Sequence, residues 1–313
     1  MTTTADTAVV VKKLRRFFGH FPQVLEILAR LRQLMSYRCV DEEPEHIMLL
    51  GNPGTGKSTL LKWFAKQFPR IEHDELTEIP VLYAEVPSNC SIKKLAGVLL
   101  RALGSPFWNK GDEEERTFQL QTLLMNCRVR LIILDEINHV VDRGREKSHE
   151  TVADWIKQQS AHARVSFVLA GIGRSRLLLD ANDQFADRFR EVLEITPLGL
   201  EDEAKKAELV AVMEAFEAML EGIDHINLQT DDVLRILVFA TAGRLRNIRR
   251  LLVRSVELAH QSDDKPRIDL SVLEKAFLET IFKHASPLQN PFSSKFRGTP
   301  LINAGEPFAP SGR

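Results

Sequence analysis

The sequence contains few cysteines and no long hydrophobic run. Its 313 residues include three cysteines, Cys39, Cys90 and Cys127, which are widely spaced and form no CxxC pair. A disulfide framework and a zinc site of the usual ligand spacing are therefore not indicated. No apolar stretch approaches the roughly 20 residues of a membrane-spanning helix, and the N-terminal charges follow a short apolar stretch, the reverse of a secretion signal. We expect a cytoplasmic protein with no membrane partner.

An excess of charge of either sign is also absent. The chain has 42 basic and 43 acidic residues, a net charge of −1, so any surface for nucleic acid must be a local patch. With 44% hydrophobic and 27% charged residues, the composition is that of a folded globular chain. The length leaves room for about two domains.

Five short apolar runs are typical of buried parallel strands. They are His46–Leu50, Ile79–Val86, Arg130–Leu134, Val165–Ala170 and Val192–Ile195. Between them lie segments of helical period, Leu60–Phe68, Ile92–Leu103, Phe118–Cys127 and Val152–Ala161. Strands that alternate with helices predict a parallel sheet covered on both faces. Residues 41–199 are therefore predicted to form an α/β domain.

After Pro197 the pattern becomes helical. The helical segments are Glu201–Leu220, Asp231–Thr241 and Arg244–His260, followed by a shorter helix opened by the capping-type pair Ser271 and Glu274. Residues 200–284 are therefore predicted to form a smaller, all-helical domain.

Two terminal segments flank these domains. Residues 1–40 are predicted to be a helical arm, because Val24, Ile27, Leu28, Leu31 and Leu34 recur at helical spacing after Pro22. Residues 285–313 hold five of the 14 prolines and no core pattern. We expect this segment to be a flexible Pro-rich tail, with its phenylalanines as possible anchors for a partner protein.

A glycine-rich motif carries the first chemical signal. The run Gly51, Asn52, Pro53, Gly54, Thr55, Gly56, Lys57 and Ser58 matches GxxxxGK[ST]. It follows a predicted strand and precedes a predicted helix that begins at Thr59. In such a loop, backbone N–H groups surround phosphate oxygens, the lysine reaches the β and γ phosphates, and the serine hydroxyl binds Mg²⁺. Because both flanking elements are present, we prefer nucleotide binding by residues 51–59 to a chance glycine-rich turn.

A second signal is the run LIILDE at residues 131–136. Four apolar residues predict a buried strand that ends in two carboxylates, beside the phosphate loop. Asp135 is placed to hold Mg²⁺ with Ser58, and Glu136 to orient or deprotonate the attacking water. A single strand that ends in acidic residues is common by chance. The phosphate loop and the acidic strand end in this order are not, and together they predict nucleotide hydrolysis.

The phosphate loop, the Asp-Glu strand end and the following helical domain together resemble the AAA+ ATPases. The resemblance implies a P-loop parallel sheet flanked by helices, an all-helical lid, ATP and Mg²⁺ as ligands, and a catalytic arginine from a neighbouring subunit. Arg188 and then Arg190 are candidates for that arginine. Arginines near a helix end are also often solvated or bonded to terminal carbonyls.

The lid offers candidates for a further nucleotide contact. Gly243, Arg244 and Arg246 lie at the start of a helix, which is similar to the family's sensor 2, and either arginine suits that role. The family's sensor 1, a polar residue at the end of the fourth core strand, has no counterpart at the tip of VSFVLAGIG.

Four segments narrow the resemblance to the TniB and TnsC type of transposition regulator. They are VLYAEVPSNCSIKKLAGVLLRALG, LIILDEINHV, FVLAGIGRSRLLLDANDQFADRFREVLEITPL and ATAGRLRNIRRLL, within about residues 45–280. The resemblance implies an ATP-dependent ring or filament on duplex DNA. Such an assembly links a target-selection protein to the transposase and disassembles on hydrolysis.

Candidate DNA contacts are lysines. Lys93 and Lys94 open the helix after the second core strand, and Lys110 lies in the loop before the next helix. Lysines neutralise phosphates without reading bases, and no base-reading module is recognisable, so we expect sequence-independent contacts. A lysine pair on a solvated helix face is an equally good interpretation of the pattern alone.

Two other functions remain open. One is a signalling switch or scaffold in which nucleotide drives protein assembly without DNA. The other is an initiator or helicase loader, which usually carries an additional winged-helix domain.

Overall fold

A computed structural model describes residues 4–36, 43–88, 90–143, 146–180, 182–261 and 266–309. The chain divides into two compact units, one of Gln23–Ile195 and one of Met1–Pro22 together with Thr196–Arg313. Cys39, the predicted boundary after residue 40 and the tail residues 310–313 lie outside the described residues. The predicted boundary after residue 199 lies close to the end of the first unit.

The first unit contains the main sheet, one short strand pair and most of the helices. Its strands are β1 (Ile47–Gly51), β2 (Ile71–Glu72), β3 (Thr77–Glu78), β4 (Val81–Glu85), β5 (Leu131–Asp135), β6 (Ser166–Gly171) and β7 (Glu191–Ile195). Its helices are α2 (Pro22–Ser36), α3 (Lys57–Lys66), α4 (Ile92–Ala102), α5 (Glu113–Asn126), α6 (Asn138–Arg143), α7 (Glu146–Ala163), a 3-10 turn (Gly173–Arg176), α8 (Leu177–Asp180) and α9 (Asp183–Arg188).

Five parallel strands form the main sheet in the order β4-β5-β6-β1-β7. The five predicted strands and the α/β class are confirmed. Because the strands are parallel, the phosphate loop after β1 and the carboxylates at the end of β5 lie at the same edge of the sheet. Only β6 separates these two strands.

Apolar residues of the strands and helices form the core between the sheet and its helices. Strand residues such as Leu50, Ile132 and Phe167 belong to one buried cluster with Leu99 of α4 and Ile156 of α7. The five apolar residues predicted to form one face of α2 are also buried. The hydrophobic periodicity of the sequence therefore corresponds to real core faces.

The second unit contains the remaining helices, α1 (Thr4–Arg15), α10 (Glu203–Met219), α11 (Asp231–Thr241), α12 (Leu245–Ala259) and α13 (Leu270–Thr280). It differs from the all-helical prediction by one pair of two-residue parallel strands, β8 (Asp224–His225) and β9 (Arg267–Ile268). It also differs at the start of α13, where Asp269 caps the helix by accepting from the Val272 N–H at 3.0 Å. Ser271 donates to Asp269 instead of capping.

The N-terminal helix α1 packs on the helices of this second unit. Leu14 is fully buried, and the rings of Phe17 and Phe216 lie 4.3 Å apart between centroids. Phe216 belongs to α10. The predicted arm of residues 1–40 is thus shared between the two units, α1 belonging to one and α2 chiefly to the other.

The C-terminal segment differs from the tail that the sequence led us to expect. Leu301 is fully buried and Phe308 nearly so. Phe292 contacts Phe277 of α13 and Phe296 contacts Phe239 of α11, with centroid distances of 5.9 and 5.1 Å. This segment therefore packs through single apolar residues, and because they follow no helical or strand period, the sequence pattern did not predict their burial.

Within the described residues, no helix is both long and apolar enough to span a membrane.

Candidate active site

The phosphate loop connects β1 to α3 through backbone that requires glycine. Gly54 and Gly56 have φ angles of 88° and 110°, a region that L side chains rarely occupy. A Cβ on Gly51 would lie 2.5 Å from the Ile195 carbonyl oxygen of β7. The loop can therefore close tightly only with these residues.

The start of α3 is suited to an anion. The helix begins at Lys57, and its N-cap, Gly56, supplies no side-chain acceptor for the first N–H groups. Unsatisfied N–H groups at a helix start carry partial positive charge and bind phosphate. Ser58 lies half-buried in this first turn.

Lys57 lies over the loop. Its buried side chain places Nζ 2.5 Å from the Gly51 carbonyl oxygen and 3.2 Å from that of Asn52. The Thr55 hydroxyl donates to the same Asn52 oxygen at 2.9 Å. The ammonium group therefore lies against two carbonyl oxygens of the loop, where a phosphate oxygen would be a charge-assisted partner.

The Asp135 carboxylate is buried at the end of β5 and held by two donors. Oδ1 accepts from the Glu136 N–H at 2.9 Å, and Oδ2 accepts from the Tyr83 hydroxyl at 2.8 Å. The pKa of Tyr83 is raised, chiefly by burial and then by the charge of Asp135. The phenol therefore remains a donor at neutral pH.

Glu136 follows in a left-handed backbone conformation, with a φ of 58°. This conformation costs a residue other than glycine about 1 kcal/mol or more. It persists because its neighbours are fixed: the Val86 N–H donates to the Asp135 carbonyl at 2.8 Å, and the Ile137 N–H donates to the Ala170 carbonyl at 2.9 Å. The side chain of Glu136 is half-buried at this point of the chain.

The donor set fits Mg²⁺. Each Asp135 oxygen accepts one bond from the protein and has a second acceptor position, and Ser58 adds a hydroxyl oxygen. Among the described residues, no group of three or more His, Cys, Asp or Glu side chains could hold a metal ion. Mg²⁺ is commonly held by one or two protein oxygens together with phosphate oxygens and water.

The two candidate finger arginines have different surroundings. Arg188 donates to the Lys157 carbonyl at 3.5 Å and to Glu43 at 3.3 Å, and its side chain is 27% exposed. Arg190 forms an ion pair with Asp187 at 3.2 Å and is 79% exposed. Arg190 is thus more accessible to a neighbouring subunit, and the role of either residue stays a prediction.

In the second unit, the start of α12 carries the sensor candidates. Arg244 lies over the Phe308 ring, 5.4 Å from its centroid, and its buried Nε has no hydrogen-bond partner within the described part of the chain. Burial, and then the charge of Arg246, lowers the pKa of Arg244. Arg246 is exposed, and α12 has no side-chain N-cap. The cluster suits an anion, and the choice between the two arginines stays open.

The predicted DNA contacts are brought together by a residue that the sequence analysis missed. Lys93, Lys94 and Lys110 are exposed. Arg116 donates to the Lys93 and Lys110 carbonyls at 3.2 and 3.0 Å. It also donates to the Asn109 carbonyl at 2.6 Å and so joins the start of α4 to the loop.

Acidic residues adjoin this surface. Residues 112–115 are all acidic and directly follow the loop. Asp112 and Glu115 are engaged with each other's backbone in the capping box of α5. Glu113 and Glu114 line one cavity together with Ile92, so the acids lie near the start of α4 as well as near the loop of Lys110.

Near the end of β6, where the sequence has no Asn or Thr, the structure holds a buried hydroxyl group. Ser175 is fully buried, and its Oγ has no hydrogen-bond partner among the described residues. A Cβ on Gly171 would lie 2.3 Å from this oxygen. The serine follows the strand by a 3-10 turn, a displacement that strand patterns do not reveal.

Comparison of the chain with known proteins identifies its family. The family described as Bacterial TniB protein matches residues 12–195. The chain belongs to the TniB family. No curated protein matches the chain.

Solved structures share the fold of this TniB protein. Cdc6p of Pyrobaculum aerophilum aligns with a TM-score of 0.64 and 18% identity, over 86% of this chain and 70% of that one. Aeropyrum pernix ORC1, solved in complex with DNA, aligns with a TM-score of 0.57 and 16% identity, over 86% and 68%. Aeropyrum pernix ORC2, solved as ADPNP and ADP complexes, aligns with a TM-score of 0.59 and 16% identity, over 88% and 75%.

These similarities confirm the AAA+ fold. With an intact phosphate loop and an Asp-Glu pair at the end of β5 on that fold, the TniB protein is an ATPase.

Proposed function

We propose that this TniB protein is an ATP-dependent, DNA-binding regulator of transposition. It oligomerises on duplex DNA as a ring or filament, links a target-selection protein to a transposase, and disassembles on hydrolysis. The observation that carries the proposal is the convergence of the phosphate loop and the buried Asp135 at one edge of the sheet, in a chain of this family.

The residues of the site have separate tasks in ATP binding. The loop N–H groups and Lys57 bind the phosphates. Ser58 and Asp135 would hold Mg²⁺, which when bound would neutralise negative charge on the phosphates. The position of the Lys57 ammonium group beside the Gly51 and Asn52 carbonyls of the loop supports this assignment.

Hydrolysis requires a group that positions water. Glu136 is the candidate, since it directly follows the buried Asp135 at the end of β5. An arginine from a neighbouring subunit, Arg188 or Arg190, completes the site by stabilising charge on the transferred phosphoryl group. Hydrolysis therefore depends on assembly, and assembly depends on bound ATP.

DNA binding is assigned to the exposed lysines at the start of α4. Lys93 and Lys94 contact phosphates of the duplex, and Lys110 adds a contact beside them. The DNA complex of Aeropyrum pernix ORC1 supports a DNA partner for this fold. The acids at residues 112–115 instead favour the second candidate function, a nucleotide-driven protein scaffold without DNA.

The test is ATP-dependent retention of a random duplex. Glu136→Gln should retain ATP and lengthen the lifetime of the DNA complex, because hydrolysis no longer releases it. Replacing both Lys93 and Lys94 with alanine should reduce the slope of log affinity against log salt by roughly 2, since each lysine that neutralises a phosphate adds about 0.9 to that slope.

A charge-matched control is the pair Lys66→Ala and Lys275→Ala, both exposed and on other helices. It should leave the salt slope unchanged. An unchanged lifetime of the DNA complex in Glu136→Gln would contradict the proposal that hydrolysis releases the DNA. ATP-driven assembly without salt-sensitive DNA retention would support the scaffold instead.

A further inference from the structure

The proposed metal ligand Asp135 is fixed on both of its oxygens. The Glu136 N–H holds Oδ1, and the Tyr83 hydroxyl holds Oδ2. Two bonds on different oxygens define the plane of the carboxylate, so its remaining acceptor directions are also defined. The first donor belongs to the backbone, which leaves Tyr83 as the side chain that sets this orientation.

The sheet register places Tyr83 to do this. In the parallel pair of β4 and β5, Tyr83 lies opposite Ile133 and Glu85 lies opposite Asp135. Tyr83 and Glu85 share one face of β4, because side chains alternate along a strand. The long tyrosine side chain therefore reaches one pleat along the neighbouring strand to meet the buried carboxylate.

Lys62 of α3, the helix that follows the phosphate loop, contacts Glu85 and Tyr83 of β4. Lys62 lies four residues after Ser58 and so on the same face of the helix. Its Nζ is 2.6 Å from Glu85 Oε1 and 5.5 Å from the centroid of the Tyr83 ring. The elements that carry the two proposed Mg²⁺ ligands, Ser58 and Asp135, are thus linked through Lys62, Glu85 and Tyr83.

We propose that Tyr83 is a positioning residue for Mg²⁺ binding, which orients the Asp135 carboxylate through its hydroxyl. The inference rests on the proposed function, since it assumes that Asp135 binds Mg²⁺ beside ATP. Partners that orient metal ligands typically change metal affinity by about 10-fold to 100-fold when removed.

The three side chains contribute unequally. Lys62 and Glu85 are about half exposed, at 49% and 55%, and exposed ion pairs are weak. The bond to Asp135 is charge-assisted and its acceptor is buried, so it is the strong contact. Glu85 also accepts weakly from Tyr83, at 3.3 Å, and therefore competes with Asp135 for the hydroxyl.

The experiment is equilibrium binding of a fluorescent, non-hydrolysable ATP analogue by the full chain, titrated with Mg²⁺ and repeated in EDTA. Tyr83→Phe keeps the ring and removes only the hydroxyl. We expect the Mg²⁺ concentration for half-maximal enhancement of binding to rise about 10-fold, with less than twofold change in affinity in EDTA. Glu85→Gln removes the weaker, exposed partner of the same hydroxyl and should change the Mg²⁺ requirement less than twofold. Lys66→Ala, at an exposed lysine of α3 outside this cluster, is the control and should bind like the wild type with and without Mg²⁺.

Other results would overturn the proposal. A Tyr83→Phe protein with a wild-type Mg²⁺ requirement would refute it, and so would equal weakening with and without Mg²⁺, which indicates a general structural effect. A rise in Glu85→Gln as large as in Tyr83→Phe would transfer the role to the exposed pair. If Asp135→Asn responds to Mg²⁺ like the wild type, the assignment of the metal ligand itself fails, and the inference fails with it.

Discussion

Substitution of Gly243 tests the close backbone contact between residues 198 and 243 quantitatively. Gly243 precedes the arginines of α12 and has a φ of 61°. A Cβ there would lie 1.7 Å from the Leu198 carbonyl oxygen and 2.8 Å from its carbon. Because these are backbone atoms, the clash can be relieved only by moving the chain. The movement would also break the bond from the Leu198 N–H to the Gly243 carbonyl, now 2.9 Å.

The cost of Gly243→Ala follows from these distances. The left-handed conformation costs alanine about 1 kcal/mol, the broken hydrogen bond about 1 kcal/mol, and forced repacking about 1 to 3 kcal/mol. We expect a decrease of about 3 to 5 kcal/mol in the free energy of unfolding. Gly222→Ala is the matched control, because Gly222 has a φ of 87° and nothing within 4 Å of the added carbon. It should cost only about 1 kcal/mol.

Urea unfolding followed by far-UV circular dichroism measures both values. Tryptophan fluorescence is less suitable, because Trp63, Trp108 and Trp155 all lie in the unit of residues 23–195. Decreases that agree within about 1 kcal/mol for the two variants would refute the clash as the cause.

Two further predictions concern His46 and the C-terminal segment. His46 is buried, accepts from the Phe167 N–H at 3.0 Å, and has its pKa lowered to about 3 by burial and then by the charge of Arg188. Below about pH 6.5 the unfolded chain binds a proton that the folded one does not, so stability falls as pH falls, by about 2 kcal/mol between pH 8 and pH 5. Urea unfolding at both pH values should show a smaller drop in His46→Gln, and equal drops would contradict this. Deletion of residues 285–313 removes the buried Leu301 and Phe308, each of which contributes about 1.5 to 3 kcal/mol. The deletion should lower the midpoint of urea unfolding followed by circular dichroism. An unchanged midpoint would indicate that the segment does not stabilise the second unit.

The elements that could be predicted are those whose signal is local. The five strands were predicted because buried parallel strands are nearly continuous apolar runs, as in LIILD of β5. The phosphate loop was predicted because its glycines and lysine occupy fixed spacings between a strand and a helix. In both cases, residues adjacent in the sequence carry the whole pattern.

The features that were missed depend on contacts between distant residues. Tyr83 and Asp135 are 52 positions apart, and only the register of β4 on β5 brings them together. The burial of Phe308 depends on the helices of the lid, and no period in the tail reveals it. The sequence pattern alone does not single out Tyr83. Its alternation with Glu85 on β4 and the spacing of Lys62 from Ser58 become informative only when the register of β4 on β5 is known.

The most direct test of nucleotide binding is isothermal titration of the full chain with ATP and Mg²⁺, for the wild type, Lys57→Ala and the exposed control Lys66→Ala. We expect the wild type and the control to bind equally. We expect the affinity of Lys57→Ala to fall about 100-fold, since a charge-assisted contact to phosphate is worth about 2 to 3 kcal/mol. No measurable affinity of the wild type for adenine nucleotides, or equal affinity in Lys57→Ala, would contradict the assignment of this loop as the ATP site.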